Sequence, residues 1–364
     1  MKRVLHILGT LQRGGAETMV MNLYRAIDKS QVQFDFLVKN HVENGYEDEV
    51  RELGGRIFTV PSAREIGVWN FILRQADVMK KEGPFIAVHS HVNEYSGLSM
   101  LAAKMSGIKC RISHSHNTVF QNKKKLFIGR TLILLFSTKL LACGHDAGVA
   151  LFGKRNFIVI PNAIDTEKFS PVDSKTRFEL RKKLCGETDE LLLCHVGRFN
   201  VQKNHAFIIQ LAKQLYLMNI KYKIYLLGTG ELFDEIQMKV KQEHLESNVV
   251  FCGSVKNVNE YYNACDMFIL PSFHEGLPVT MVEAQCAGIK CLVSDKVTKE
   301  ADLGVGLVSY IPLDVNCWIE KINEYAETCD ACREKGQDKM LVEKKYNIKS
   351  SVQEMYKIYD INIS

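Results

Sequence analysis

Long apolar runs are missing from this 364-residue chain. The N-terminus, MKRVLHILGTLQRGG, starts basic and then apolar, but its run of about five apolar residues ends at Gly9. That is too short for the core of a signal peptide, and a first β-strand is the better reading. Only eight uncharged residues separate Arg130 from Lys139, too few to cross a bilayer. Low-complexity segments and short-period repeats are absent too, and 46% apolar with 24% charged residues is ordinary for a soluble globular protein. The eleven cysteines are scattered and odd in number, which excludes a disulfide scaffold and favours free thiols in a reducing cytoplasm. Cys329–Cys332 (CDAC) has no partner pair and no nearby histidine, so neither zinc nor redox chemistry is expected of it. No basic stripe is interleaved with aromatics, which argues against nucleic acid. The glycine-rich LLGTGEL at Leu226–Leu232 lacks a third glycine and an acidic residue at the end of the next strand, so a dinucleotide site is not expected. No DxD-like acidic pair stands at a strand end.

What is present is unevenly charged. Residues 1–170 carry 23 Lys+Arg against 15 Asp+Glu within a net charge of +5. A basic first half suits an anionic membrane or a phosphorylated lipid. Lys123–Cys143, KKKLFIGRTLILLFSTKLLAC, sharpens that choice. It reads either as a buried core helix with a basic cap or as a segment lying at an anionic membrane surface.

Apolar strand-like runs alternate with helical ones, the pattern of a parallel α/β sheet. In the first half Arg3–Leu8, Phe34–Val38, Arg56–Val60, Ile86–His89, Cys110–His114, Leu140–Ala142 and Phe157–Ile160 read as strands, with helices at Glu17–Ala26 and Ser96–Met105. After a charged helix at Ser174–Lys183 the rhythm restarts with Leu191–Val196, Lys223–Leu227, Val249–Phe251, Met267–Leu270 and Cys291–Val293. Two doubly wound domains are expected, 1–165 joined by a C-terminal tail 346–364, and 166–345. Ligands of such sheets bind beyond the carboxyl ends of the strands, so the chemistry belongs in loops facing a cleft between the domains.

Five loops carry candidates. After the first strand, GTLQRGGAE places Gly14 and Gly15 before a helix, where backbone can approach a phosphate or sugar, although Glu17 can also simply serve the helix start. SHSHNT puts His114 and His116 on one strand face, and with no third ligand following along the chain zinc is not expected. His91 and Asn93, in HSHVNE, repeat the theme as candidate acceptor contacts. In GRFNVQKN, Arg198 and Lys203 can hold a diphosphate without a divalent metal, or be two exposed bases. SFHEGLPVTMVEAQCAG places Glu275 before a helix and Glu283 roughly two turns into it, with Pro278 in the first turn and Gly288 at the stop. A carboxylate, a helix start that favours anions, and a second carboxylate match hydroxyls, phosphates and hydroxyls in a line.

Together these motifs resemble the retaining glycosyltransferases of family 4, which have the GT-B fold: two Rossmann-like domains facing a central cleft, with the C-terminal helix crossing back to the first. GRFNVQKN, LLGTGEL with the following FCGSVKNV, and EGLPVTMVE match in order and spacing, the last as the family's pair of glutamates seven residues apart. GTLQRGGAETMVMNLYR and SHSHNT look most like enzymes assembling bacterial capsular or exopolysaccharide. The resemblance implies that Glu283 binds the donor ribose and that Arg198 and Lys203 neutralise the diphosphate. It implies that Glu275 with Gly276, Leu277 and Val279 holds the sugar and distal phosphate. His116 then meets the reaction centre, Gly14 and Gly15 close over the diphosphate, and Gly228 with Gly253, Ser254 and Val255 borders the nucleotide. Asn117 stands where many members have Asp, and Lys290 where the family often has Pro. The expected reaction is metal-independent transfer of a hexose or N-acetylhexosamine, from a nucleoside diphosphate sugar such as a UDP-sugar, to a saccharide or lipid-linked saccharide. An epimerase or hydrolase of the same fold, a non-catalytic sugar-nucleotide binder and a nicotinamide dehydrogenase are the competing readings.

Overall fold

A computed structural model describes residues 1–43, 45–327, 340–341 and 346–361. Cys329 and Cys332 lie outside them, and the nine described cysteines are all free thiols. The chain divides into two compact units, one of Met1–Ala163 with Lys345–Ser364 and the other of Ile164–Lys344.

The first unit holds seven parallel strands: β1 (Lys2–Ile7), β2 (Val32–Val38), β3 (Ile57–Thr59), β4 (Ala87–Ser90), β5 (Cys110–Ser115), β6 (Lys139–Ala142) and β7 (Ile158–Val159), in the order 3-2-1-4-5-6-7. Strands buried on both faces need apolar residues at successive positions, and β2 (VQFDFLV) is buried throughout. Alternate residues of β1 feed separate cores. Val4 joins Phe34, Phe36, Ala87 and Ile112 on one face, whereas Leu5 and Ile7 join Leu37, Val60 and Val88 on the other.

The helix Gly15–Ala26 covers the first face together with a C-terminal helix, Ile348–Ile358. The latter buries Ile348, Ser351, Val352, Met355 and Tyr356, the i, i+3, i+4, i+7, i+8 stripe of a helix bound along one side. Its Tyr356 hydroxyl accepts from the Asp28 N–H at 2.8 Å. The tail therefore completes the first unit's core, as the resemblance implied.

The second unit holds β8 (Leu191–Val196), β9 (Tyr222–Leu227), β10 (Val249–Gly253), β11 (Met267–Leu270), β12 (Lys290–Ser294) and β13 (Val308–Ile311), all parallel, in the order 10-9-8-11-12-13. Strand β13 was not foreseen; it is a partly buried edge strand. In both sheets strand order reverses beside the first strand, at β1/β4 and at β8/β11. Such switch points leave a crevice at the carboxyl ends.

One alternative at Lys123–Cys143 is excluded. The helix Lys123–Phe136 buries only Gly129 and Ile133, while Phe127, Ile128 and Leu135 are exposed. It is a surface helix covered along one side only, with apolar residues left on the other. No described helix is long and apolar enough to cross a membrane.

Candidate functional site

In the second unit the loops after β8 and β11 flank the switch point and are stitched together. Asn200 Oδ1 accepts from the Lys203 N–H at 3.0 Å, closing the short turn Val201–Lys203. Asn204 then takes a left-handed conformation (φ 55°), tolerated by asparagine, and starts the helix His205–Leu217. Its side chain donates to the Pro271 carbonyl at 3.2 Å, and the Phe273 N–H donates to the Gln202 carbonyl at 2.9 Å. Gln202 Nε2 donates to the His274 carbonyl at 2.9 Å and to Glu275 Oε2 at 3.1 Å.

These bonds bring Lys203 to Glu275, with Nζ 2.7 Å from Oε1 and both side chains largely buried. Beyond that ion pair, Oε1 meets no other donor among the described residues and keeps acceptor capacity. Ser272 Oγ and Thr280 Oγ1, in the same segment, are also buried without a partner among the described residues. Buried polar atoms are normally satisfied, so these two hydroxyls, one in the loop and one in the first turn of the following helix, mark a segment built to receive polar groups.

Pro278 stands just outside the helix Val279–Cys286 rather than in its first turn, and Glu283 is its fifth residue, about one turn in. The correction follows from ψ at Pro278, which is 97° and not helical. Val279 and Thr280 thus lie in the first turn, where backbone N–H groups have no helical acceptor and favour an anion. Glu283 is buried and accepts from the Tyr262 hydroxyl at 3.2 Å. Burial pushes its carboxyl up to about 7, against the lowering effects of that hydrogen bond and of Lys168.

Arg198 points to the surface, where Nε donates to Glu231 Oε2 at 3.1 Å. Gly228 has φ 133°, and a Cβ there would collide with the Gly197 carbonyl oxygen, so the β9 loop packs directly against the loop carrying Arg198. Gly253 (φ 64°) ends β10, with exposed Ser254 and half-buried Val255 following. Under these loops His195 Nδ1–H donates to the Ile269 carbonyl at 2.8 Å.

In the first unit Gly14 caps the helix Gly15–Ala26 in an extended conformation, and Gly15 faces open space. At the β1/β4 switch His6, His89, His91, His114 and His116 gather on the sheet face covered by the C-terminal segment. His114 and His116 do share a face, their rings stacked at 4.3 Å. The missing third imidazole comes from other strands, since two groups, His6/His89/His91 and His91/His114/His116, each offer three ring nitrogens within 4.8 Å of one another. His91 is buried with both nitrogens engaged, by His6 at 3.1 Å and His116 at 2.9 Å, which leaves none for the acceptor contact expected of it. Asn93 Oδ1 accepts from the His116 N–H at 3.0 Å. Burial holds these imidazoles below their ordinary range, His6 and His116 at about 3, so they are neutral at pH 7.

Two family models cover the chain, "Glycosyltransferase Family 4" over residues 13–168 and "Glycosyl transferases group 1" over 176–304. A Bacillus subtilis (strain 168) protein named as the glycosyltransferase EpsF is 39% identical over 99% of this chain and 97% of its own. The chain belongs to the family 4 glycosyltransferases. An Escherichia coli member, named as a UDP-Gal:α-D-GlcNAc-diphosphoundecaprenol α-1,3-galactosyltransferase, is 24% identical over 80% of this chain and 79% of its own. The crystal structure of Anabaena HepE in complex with UDP and glucose superposes with a TM-score of 0.78 at 15% identity, covering 99% of this chain and 100% of that one. The fold is GT-B. Around this family 4 glutamate pair, the sequence did not single out the side chains of Ser272, Thr280, Tyr262 or Gln202. Gln202 lies inside GRFNVQKN, and Ser272 and Thr280 lie inside SFHEGLPVTMVEAQCAG, whereas Tyr262 carries no such signal.

Proposed function

We propose that this transferase moves a hexose or N-acetylhexosamine, with retention, from a UDP-sugar to a lipid-diphosphate-linked saccharide in the assembly of a cell-surface polysaccharide. The observation that carries it is the loop pair at β8/β11, where Lys203 meets Glu275 in the segment that also carries buried, unpartnered Ser272 and Thr280 and leads into the helix holding buried Glu283. In this reading Glu283 accepts from the ribose hydroxyls, and the first-turn N–H groups with Lys203 hold the diphosphate. Glu275 Oε1 takes a sugar hydroxyl. Arg198 turns from its exposed pair with Glu231, which costs little because such pairs contribute little.

The departing diphosphate gathers charge as an oxocarbenium-like centre forms, and fixed cations stabilise that charge without a metal ion. No carboxylate is assigned as a nucleophile; the leaving phosphate takes the acceptor proton from the same face. The UDP in HepE and the UDP-galactose and lipid diphosphate in the name of the E. coli relative support this donor and acceptor. Capsular and exopolysaccharide relatives, including CapH of Staphylococcus aureus, support the setting. The exposed Phe127 and Ile128, within a turn of Lys123–Lys125, and Leu135 near the end of the same helix suit contact with the anionic membrane that carries such an acceptor.

The test is thermal stability against UDP, GDP, ADP and NAD, each with and without EDTA, followed by sugar transfer to a lipid-diphosphate saccharide. UDP at a hundred times its Kd should add about 2.7 kcal/mol, a rise of several degrees that EDTA leaves unchanged. A response to NAD alone would sink the donor assignment, and UDP-sugar turnover without any acceptor would point to an epimerase or hydrolase.

A further inference from the structure

The gathered histidines are joined end to end. His116 Nε2 lies 2.9 Å from His91 Nδ1, and His91 Nε2 lies 3.1 Å from His6 Nδ1. His6 Nε2 faces the Tyr359 hydroxyl at 3.4 Å, that hydroxyl lies 2.8 Å from His89 Nδ1, and His89 Nε2 lies 3.1 Å from His114 Nδ1. The two end nitrogens, His116 Nδ1 and His114 Nε2, are buried with no partner among the described residues.

We propose that these six side chains form one continuous hydrogen-bonded chain, and that His6, His89, His91, His114 and Tyr359 are positioning residues which fix the tautomer His116 offers to a sugar hydroxyl. The role of His116 rests on the transferase reading above; the chain itself does not.

Proton counting carries the argument. Five links need five protons, and six neutral groups hold six, so one proton is left over. If the Tyr359 hydroxyl donates within the chain, the spare proton sits at one end. Either every ring is protonated at Nε2 and His116 presents a lone pair at Nδ1, or every ring is protonated at Nδ1 and His116 presents a donor. In the remaining arrangement the Tyr359 oxygen accepts from both neighbours and its own hydrogen is the spare proton. Without a ligand each arrangement leaves one buried donor unsatisfied, at His114, His116 or Tyr359, which is unfavourable. The tautomers are therefore not independent: a hydroxyl that accepts from His116 removes that defect and selects Nδ1–H on all five rings, and one that donates to His116 fixes Nε2–H on His116, His91 and His6.

Tyr359 is the indispensable link, because a phenol both donates and accepts. Its place on the C-terminal segment makes that segment part of the chain. Burial also keeps every ring uncharged, so the chain holds no fixed positive charge to repel a cationic transition state.

A metal ion is the competing use of these rings, since two three-histidine groups are present. Each facing pair of nitrogens shares one proton, however, and a metal requires lone pairs from both partners. All six nitrogens of His6, His89 and His91 are engaged in links.

The full-length protein labelled with ¹⁵N-histidine should be examined by long-range ¹H–¹⁵N spectra, which separate the two neutral tautomers, before and after equilibration with Zn²⁺. The expected result is five neutral rings, with one tautomer shared by His6, His91 and His116, one shared by His89 and His114, and never His6 protonated at Nδ1 together with His89 protonated at Nε2, since Tyr359 can donate to only one of them. In Tyr359→Phe the His89–His114 pair should lose that correlation with His6, His91 and His116, and kcat should fall on the order of tenfold with little change in the donor KM. Should Tyr359→Phe fail to fold, His114→Gln removes the far end and should change the His116 tautomer ratio. Uncorrelated tautomers in the wild-type protein overturn the chain, as does one equivalent of Zn²⁺ retained through dialysis. Correlated tautomers with UDP bound but kcat unchanged in Tyr359→Phe uphold the chain and overturn the positioning role. Correlated tautomers in a protein that binds no nucleotide uphold the chain and overturn the transferase reading instead.

Discussion

Burial sets Glu283 against its own charge. The carboxyl moves from its ordinary 4.5 up to about 7, so between those values the native state binds more protons than the unfolded chain. Stability contributed by this group is therefore present at low pH and lost as pH rises through 7. Glu283→Gln should become more stable than wild type between pH 5 and 8, by at most about 3 kcal/mol, while UDP affinity falls. Urea unfolding at the two pH values, with calorimetry for UDP, checks both. Lys203 and Glu275 invite a double-mutant cycle. Lys203→Ala strands a mostly buried carboxylate and should destabilise by roughly 2–4 kcal/mol, a range between exposed and fully buried pairs. Adding Glu275→Gln should restore most of that stability but not donor binding, a split that separates the site's chemistry from its folding.

At the scale of elements, the β8 and β9 loops touch backbone to backbone. Gly228→Ala must both strain a φ of 133° and push away the Gly197 carbonyl. It should destabilise by about 2 kcal/mol or more, read from the urea midpoint, and lower transfer further by shifting Arg198. Twelve of the strands were legible because they are apolar runs, including the partly buried edge strands β3 (IFT), β7 (IV) and β10 (VVFCG). Strand β13 (VSYI) escaped because its short sequence mixes polar with apolar. The glutamate pair was legible from its spacing and flanking turn, yet Tyr262, which meets Glu283, sits on a separate helix with no local signal. The histidine cluster shows the same limit. His114 and His116 share one strand end, but His6 and His89 join them only through the order β1-β4-β5, and alternation along a chain does not encode strand order. The Lys123 helix failed for the converse reason. Apolar residues all round a helix say that it is apolar, not which side is covered.

At the scale of the whole molecule, charge and protonation act on each unit separately. Replacing Lys123–Lys125 by glutamate should abolish salt-sensitive sedimentation with anionic vesicles and leave UDP binding intact; sedimentation unchanged by the replacement would remove the membrane contact from the proposal. Acid should strike the first unit first. Its five cluster histidines have folded values below 6.5, so the unfolded chain binds more protons as pH drops beneath 6.5 and stability falls, by up to about 1.4 kcal/mol per ring for each pH unit. The second unit has two such rings, His195 and His205. Far-UV circular dichroism should therefore decline before the emission of Trp318, buried in the second unit, shifts to the red. The C-terminal segment adds an asymmetry in time. Val352, Met355, Tyr356 and Tyr359 complete the core that begins at Val4, yet the ribosome makes the whole second unit in between. At ordinary rates of synthesis that interval is roughly 10–40 s. The nascent first unit waits through it with one side uncovered, so the half of the protein that is made first is the last to finish folding.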